Sequence, residues 1–189
     1  MIPNRGVLIA TGSEEQSGVT ALLGEARRAQ REMPWPLTGE IYRVGPNGIE
    51  LFTPEGPDAT ELAILQKLDL ESVYAAQKTA LEAHCEAIDD DVFVATYSLR
   101  TLNNQPKQLL SACAWTQGAP SLLPQTDLIA FVWNLSPDRK IALVSWEDAA
   151  AIVGHYFKST EEDPPRIRVD AFPDSGELTE LQMRAIQNV

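Results

Sequence analysis

Hydrophobic and polar positions alternate in short runs punctuated by glycine and proline, and between these runs apolar residues recur every three or four positions. The alternation predicts half-buried strands and the wider spacing predicts amphipathic helices. The first apolar run, residues 6–10, predicts a strand, and residues from about 19 to 31 predict a helix. Met33-Pro34-Trp35-Pro36 ends that helix, because each proline lacks an amide donor and restricts the residue before it. Residues 40–44 and 48–52 flank Gly45-Pro46-Asn47 and read as a β-hairpin.

Asp58, with Glu61 three positions later, has the spacing of a capping box at a helix start. The helical pattern continues through Leu62, Leu65 and Leu68, then Tyr74, Gln77, Leu81, Cys85 and Ile88, as one bent helix or two consecutive ones. Residues 91–97 predict a strand. Residues 107–116 fit either state, and the strand reading is preferred. Residues 127–133 and 140–144 form two further strands around the turn Ser136-Pro137-Asp138. Ser145 and Asp148 then start a helix whose inner face carries Trp146, Ala149, Val153 and Tyr156. A polar linker at 161–165, an edge strand at 166–172 and a terminal helix at 178–186 complete the pattern.

Adjacent strands joined by tight turns, with helices between the groups, predict an α+β fold. The expected architecture is a mainly antiparallel sheet of about five to seven strands with helices packed mostly on one face. At 189 residues the chain is long enough for a single globular domain, with 161–189 a candidate strand–helix appendage.

Composition narrows the function classes. A hydrophobic share of 44% beside 22% charged residues is that of a folded protein rather than a disordered one. No apolar run reaches bilayer-spanning length, and the first is too short for a signal-peptide core, so no membrane partner is expected. Two cysteines make no disulfide framework, which points to a reducing, bacterial-type cytoplasm. The net charge of −12 argues against nucleic acid, because the basic groups Arg27, Arg28, Arg31 and Arg166, Arg168 are short and flanked by acids.

Candidate chemistry is sparse. The loop at 10–18 lacks both the Lys-Ser/Thr ending of a phosphate loop and the three-glycine dinucleotide pattern, so it reads as a helix entry. No cofactor is expected. His84 and His155 belong to no paired-histidine motif. Asp89, Asp90 and Asp91 are the alternative metal site, against the simpler reading of a solvated turn. Cys113 is the one candidate nucleophile, with His155 its only plausible base. Yet neither neighbour of Cys113 is charged, and His155 lies off the inferred buried stripe, so an inert packed thiol is the plainer reading. Trp35, between two prolines, is a candidate partner contact. Tyr97, Trp115 and Trp133 are candidates to line an apolar pocket.

The expected function is therefore a non-enzymatic protein–protein interaction module of the accessory, immunity or adaptor kind, meeting a protein partner or a second copy. One alternative is a cysteine-dependent or acid/base hydrolase using Cys113 and His155. Another is a small-molecule binding module with an aromatic-lined apolar pocket.

Overall fold

The computed structural model describes residues 1–12, 15–33, 37, 39–102, 105–134 and 138–186, with the backbone alone at 16, 102 and 105–107. Trp35 thus lies outside the described residues, as does most of the predicted 136–138 turn. Among the described residues there are four α-helices and ten strands, in sheets of two, four and four strands. The fold is α+β, but the single sheet expected from the sequence is three separate ones. Five of the strand pairings are antiparallel and two are parallel. The chain forms two compact units, Met1–Leu70 and Glu71–Val189.

In the first unit, α1 (Gln16–Glu32) buries Val19, Leu22, Leu23 and Ala26, a stripe at three- and four-residue spacing. The stripe packs with Leu62 and Leu65 of α2 (Pro57–Ala87), with Ile41 and with Met1. Thr20 donates its hydroxyl to Asp58 at 3.0 Å, and Arg27 pairs with Glu61 at 2.9 Å, fixing one helix on the other. Gly39 is required here: a Cβ at this position would fall 3.0 Å from the backbone nitrogen of Gln66. The hairpin consists of β1 (Tyr42–Gly45) and β2 (Gly48–Leu51), with Gly48 at φ 120°, where a side chain is disfavoured. The strand expected at 6–10 is absent. In its place the segment folds back on residues 1–4, with an isolated bridge between Asn4 and Val7 and a reciprocal pair of backbone bonds between Ile9 and Met1 at 3.0 and 3.1 Å. α2 runs as one helix of 31 residues, with proline at its first position and no internal breaker.

The second unit begins within α2 and holds both four-stranded sheets. One has the order β3-β6-β10-β9, from Phe93–Val94, Ser121–Pro124, Arg166–Val169 and Lys158–Ser159. The other has the order β4-β5-β7-β8, from Ser98–Leu102, Gln105–Thr116, Leu128–Trp133 and Lys140–Ser145. The segment 107–116 is therefore strand. β10 is not an edge: it pairs with β6 on one side and β9 on the other, and its Ile167 and Val169 enter the core. The parallel β5–β7 pair is pinned at its start by Ser111 and Asp127. The Ser111 amide and hydroxyl both donate to the Asp127 carboxylate, at 2.7 and 2.8 Å, and the Asp127 amide donates back to the Ser111 hydroxyl at 2.9 Å.

Two further helices close this unit. α3 (Trp146–Val153) is capped by Ser145, whose hydroxyl accepts from the Asp148 amide at 3.1 Å, and it buries Ala149 and Val153. α4 (Ser175–Arg184) starts with a capping box between Asp174 and Glu177 and buries Leu181. One core gathers these residues with Cys113, Trp115, Ile129, Phe131 and Val144 of the larger sheet and Leu123, Ile167 and Val169 of the smaller.

Candidate interaction surface

The hairpin of the first unit shows the least ordinary surface of the protein. In an antiparallel pair, directly opposed residues share a face, and successive residues alternate between faces. The register pairs Tyr42 with Leu51 and Val44 with Ile49, so all four apolar side chains share one face. The opposite face opposes Arg43 to Glu50, and the Arg43 guanidinium lies 4.5 Å from the centre of the Phe52 ring. A solvated hairpin ordinarily turns its apolar face inward. Here Val44 is 80% exposed, Ile49 72% and Leu51 66%. Leu8, 74% exposed, lines a cavity of about 640 Å³ with Ile2, Ile9, Tyr42, Val44 and Ile49.

Local packing accounts for this exposure. Ile41 is buried among the α1 and α2 side chains, and the Phe52 amide donates to the Ile41 carbonyl at 2.9 Å. The base of the hairpin is thus anchored, and beyond it the strands pair with each other, with Tyr42 bonded to Glu40 and Arg43 over the Phe52 ring. A two-stranded ribbon is marginal in water without a covered face. An acidic group borders the apolar face: Glu40 accepts a hydrogen bond from the Tyr42 hydroxyl, which raises the Tyr42 pKa.

The catalytic candidates are not brought together. Cys113 is buried in the core and accepts a hydrogen bond from the Thr126 hydroxyl at 3.4 Å. Burial pushes its pKa up to about 12, against the smaller lowering influence of that bond. A thiol in this state packs as an apolar group. His155 lies in the short 3₁₀ turn after α3, well exposed, with its Nε2 3.2 Å from the Glu177 carboxylate. Native Cys113 is accordingly expected to resist an aromatic disulfide reagent up to mildly alkaline pH and to react fully once the chain is unfolded in urea. Spectrophotometric thiol counting on the Cys85→Ser chain checks this, and fast native labelling would contradict the burial.

The remaining candidates have other occupations. Asp90 receives two bonds from the Arg168 guanidinium, at 2.7 and 3.1 Å, which hold its carboxyl below the usual range. Asp89 adopts a left-handed φ of 58° where α2 ends. Among the described residues no group of three or more His, Cys, Asp or Glu is placed to hold a metal ion. Trp115 is fully buried with the rings of Phe131, Tyr156, Phe157 and Phe172 around it, at centroid distances of 5.2 to 6.0 Å. Tyr97 is buried too, stacked on Tyr74 at 5.0 Å. Trp133 is buried, though it borders a shallow surface depression with Gln117 and Leu178. Among the described residues the three aromatics thus have separate surroundings.

No helix among the described residues is long and apolar enough to cross a membrane. Comparison with known protein families, with curated proteins and with solved structures gives no match.

The hairpin itself is visible in the sequence. Its open face is not, because alternation shows two faces and says nothing of which one is covered. The one sequence-level hint is that both strands place apolar residues at alternate positions while the polar face carries only Arg43 and Glu50.

Proposed function

We propose that the chain is a non-enzymatic interaction module, of the accessory, immunity or adaptor kind, that docks a protein partner on its hairpin. The observation that carries this reading is the face formed by Tyr42, Val44, Ile49 and Leu51, apolar and open to solvent. Contiguous exposed apolar patches rimmed by polar groups mark binding surfaces in folded proteins. Glu40 at the rim, on a chain of net charge −12, favours a partner that offers an apolar segment flanked by lysine or arginine. A second copy fits less well, since two chains of the same strong charge repel. Free, buried Cys85 and Cys113 support a reducing, cytoplasmic setting for the encounter.

A photo-crosslinking residue at Ile49, compared with one at Glu50 on the opposite face, tests this in cells that express the chain. Position 49 should give adducts with one or a few discrete proteins, and position 50 should not. The partner so found should bind the Val44→Ser, Ile49→Ser double variant at least about tenfold more weakly, given the apolar area removed. Equal labelling from both faces, or adducts only with the chain itself, would overturn the proposal.

A further inference from the structure

The larger sheet of the second unit has one face in the core and another that forms a trough. Cys113, Trp115, Ile129 and Phe131 point to the core. Their sequence neighbours Ala112, Ala114, Ala130 and Val132 occupy the other side. There the register places Ala112 and Ala114 of β5 beside Leu128 and Ala130 of β7. Leu143 of β8 lies opposite Ala130, and Ile141 opposite Val132. Methyl side chains at the centre and larger ones beside them leave a cavity of about 690 Å³. Ile186 adds to the wall where its amide donates to the Leu143 carbonyl at 2.8 Å. That volume falls in the range of small-molecule sites, about 300–1,000 Å³.

Charge selects the occupant. Arg100 and Arg139 both line the trough and are both exposed, and neither forms an ion pair among the described residues. Two uncommitted guanidinium groups at one apolar cavity stand out on a chain of net charge −12. The register also separates them. Arg100, on the β4 edge, is level with Leu110, whereas Arg139 lies just beyond the Lys140–Trp133 pair on the β8 edge. Val132, next to Trp133, is level with Thr116. The two cations are therefore at diagonal ends of the sheet, their backbones roughly 26 Å apart along the strands at about 3.3 Å per residue.

We infer that this trough binds an elongated apolar molecule carrying an anionic group at each end, its body over Ala112, Ala114 and Ala130 and its anions on Arg100 and Arg139. A single compact anion would engage one cation and leave the apolar floor wet. A neutral chain would leave both cations unused.

Isothermal titration of the full chain with dodecanedioate, dodecanoate and 1,12-dodecanediol tests the assignment. Dodecanedioate should saturate one site and bind more tightly than either of the others. Arg100→Gln and Arg139→Gln should each weaken the diacid about three- to fivefold, the scale of a partly exposed charge pair. Ala130→Leu should abolish binding by filling the trough. Ile141→Asp, at a half-exposed wall position that packing tolerates, should weaken the diacid at least about tenfold by repulsion. The Val44→Ser, Ile49→Ser variant should bind the diacid as the parent does. The inference is overturned by no saturable heat up to about 1 mM diacid, by diol binding as tight as diacid binding, by unchanged affinity in either arginine variant, or by loss of binding in the hairpin variant.

Discussion

Replacing Arg166 with alanine is expected to destabilise the protein by about 3–5 kcal/mol, the scale of leaving a buried charge network without its centre. Arg166 is fully buried in β10. Its Nε donates to Gln77 Oε1 at 2.7 Å, and its Nη1 donates to the carbonyls of Ala95 and Leu122 at 2.9 and 3.0 Å. A longer bond of 3.5 Å reaches the Tyr74 carbonyl, and the guanidinium lies 5.2 Å from the centre of the Tyr74 ring. These hydrogen-bond partners are neutral acceptors, so the cation is stabilised by oriented dipoles rather than by a carboxylate. Burial draws its pKa downward, yet an arginine stays charged in proteins. Alanine would remove the donors, orphan the acceptors and open a cavity together. Lysine should recover little, because an ammonium cannot spread over the same fork. Methionine separates the terms: it fills volume but supplies no donor. If the orphaned carbonyls dominate, methionine remains well below the parent in urea midpoint at unchanged m-value. A methionine variant as stable as the parent would mean that desolvating the charge had cancelled the bonds.

Arg166 also shows where the sequence stops being readable. Its acceptors come from Gln77, Ala95 and Leu122, each remote in the chain, so no local pattern marks it as more than a surface charge on an edge strand. The same non-locality hid β6. Ser121-Leu122-Leu123-Pro124 follows a Gly/Pro turn and reads as loop, yet all four residues are buried because Phe93–Val94 pairs on one side and Arg166–Val169 on the other. The expected single sheet failed for this reason: pairing partners are chosen across the chain, while periodicity reports only within a strand. Local devices were legible. The Gly45–Gly48 turn and the Ser145 cap each carry their cause within a few residues. The run at 6–10 has an extended partner in residues 1–4, but the pairing is confined to the Asn4–Val7 bridge and the Met1–Ile9 bonds, too little to make a strand.

Trp115→Ala is expected to cost about 3–5 kcal/mol, and Trp115→Phe less than half of that. The ring is fully buried, and its four ring neighbours come from three places in the chain: Phe131 on β7, Tyr156 and Phe157 just after α3, and Phe172 after β10. Each ring pair adds about 0.5–1.5 kcal/mol beyond area burial, so truncation to alanine loses several such contacts with the cavity it opens. Phenylalanine keeps an aromatic face in the same place. It also removes the indole Nε1, which is buried without a hydrogen-bond partner among the described residues, so no acceptor there is orphaned and an unsatisfied donor disappears. The loss on Trp115→Phe is then that of packing volume alone. Urea unfolding followed by far-UV circular dichroism measures both variants, independently of the fluorescence the substitution removes. The outcome bears on function as well as stability. A cost below about 1 kcal/mol for alanine would mean that the cluster tolerates an empty site, which would return Tyr97, Trp115 and Trp133 to consideration as a ligand pocket. The expected large cost marks the cluster as the junction between β5, β7 and the C-terminal segments. It leaves the hairpin face and the alanine trough as the surfaces free to bind.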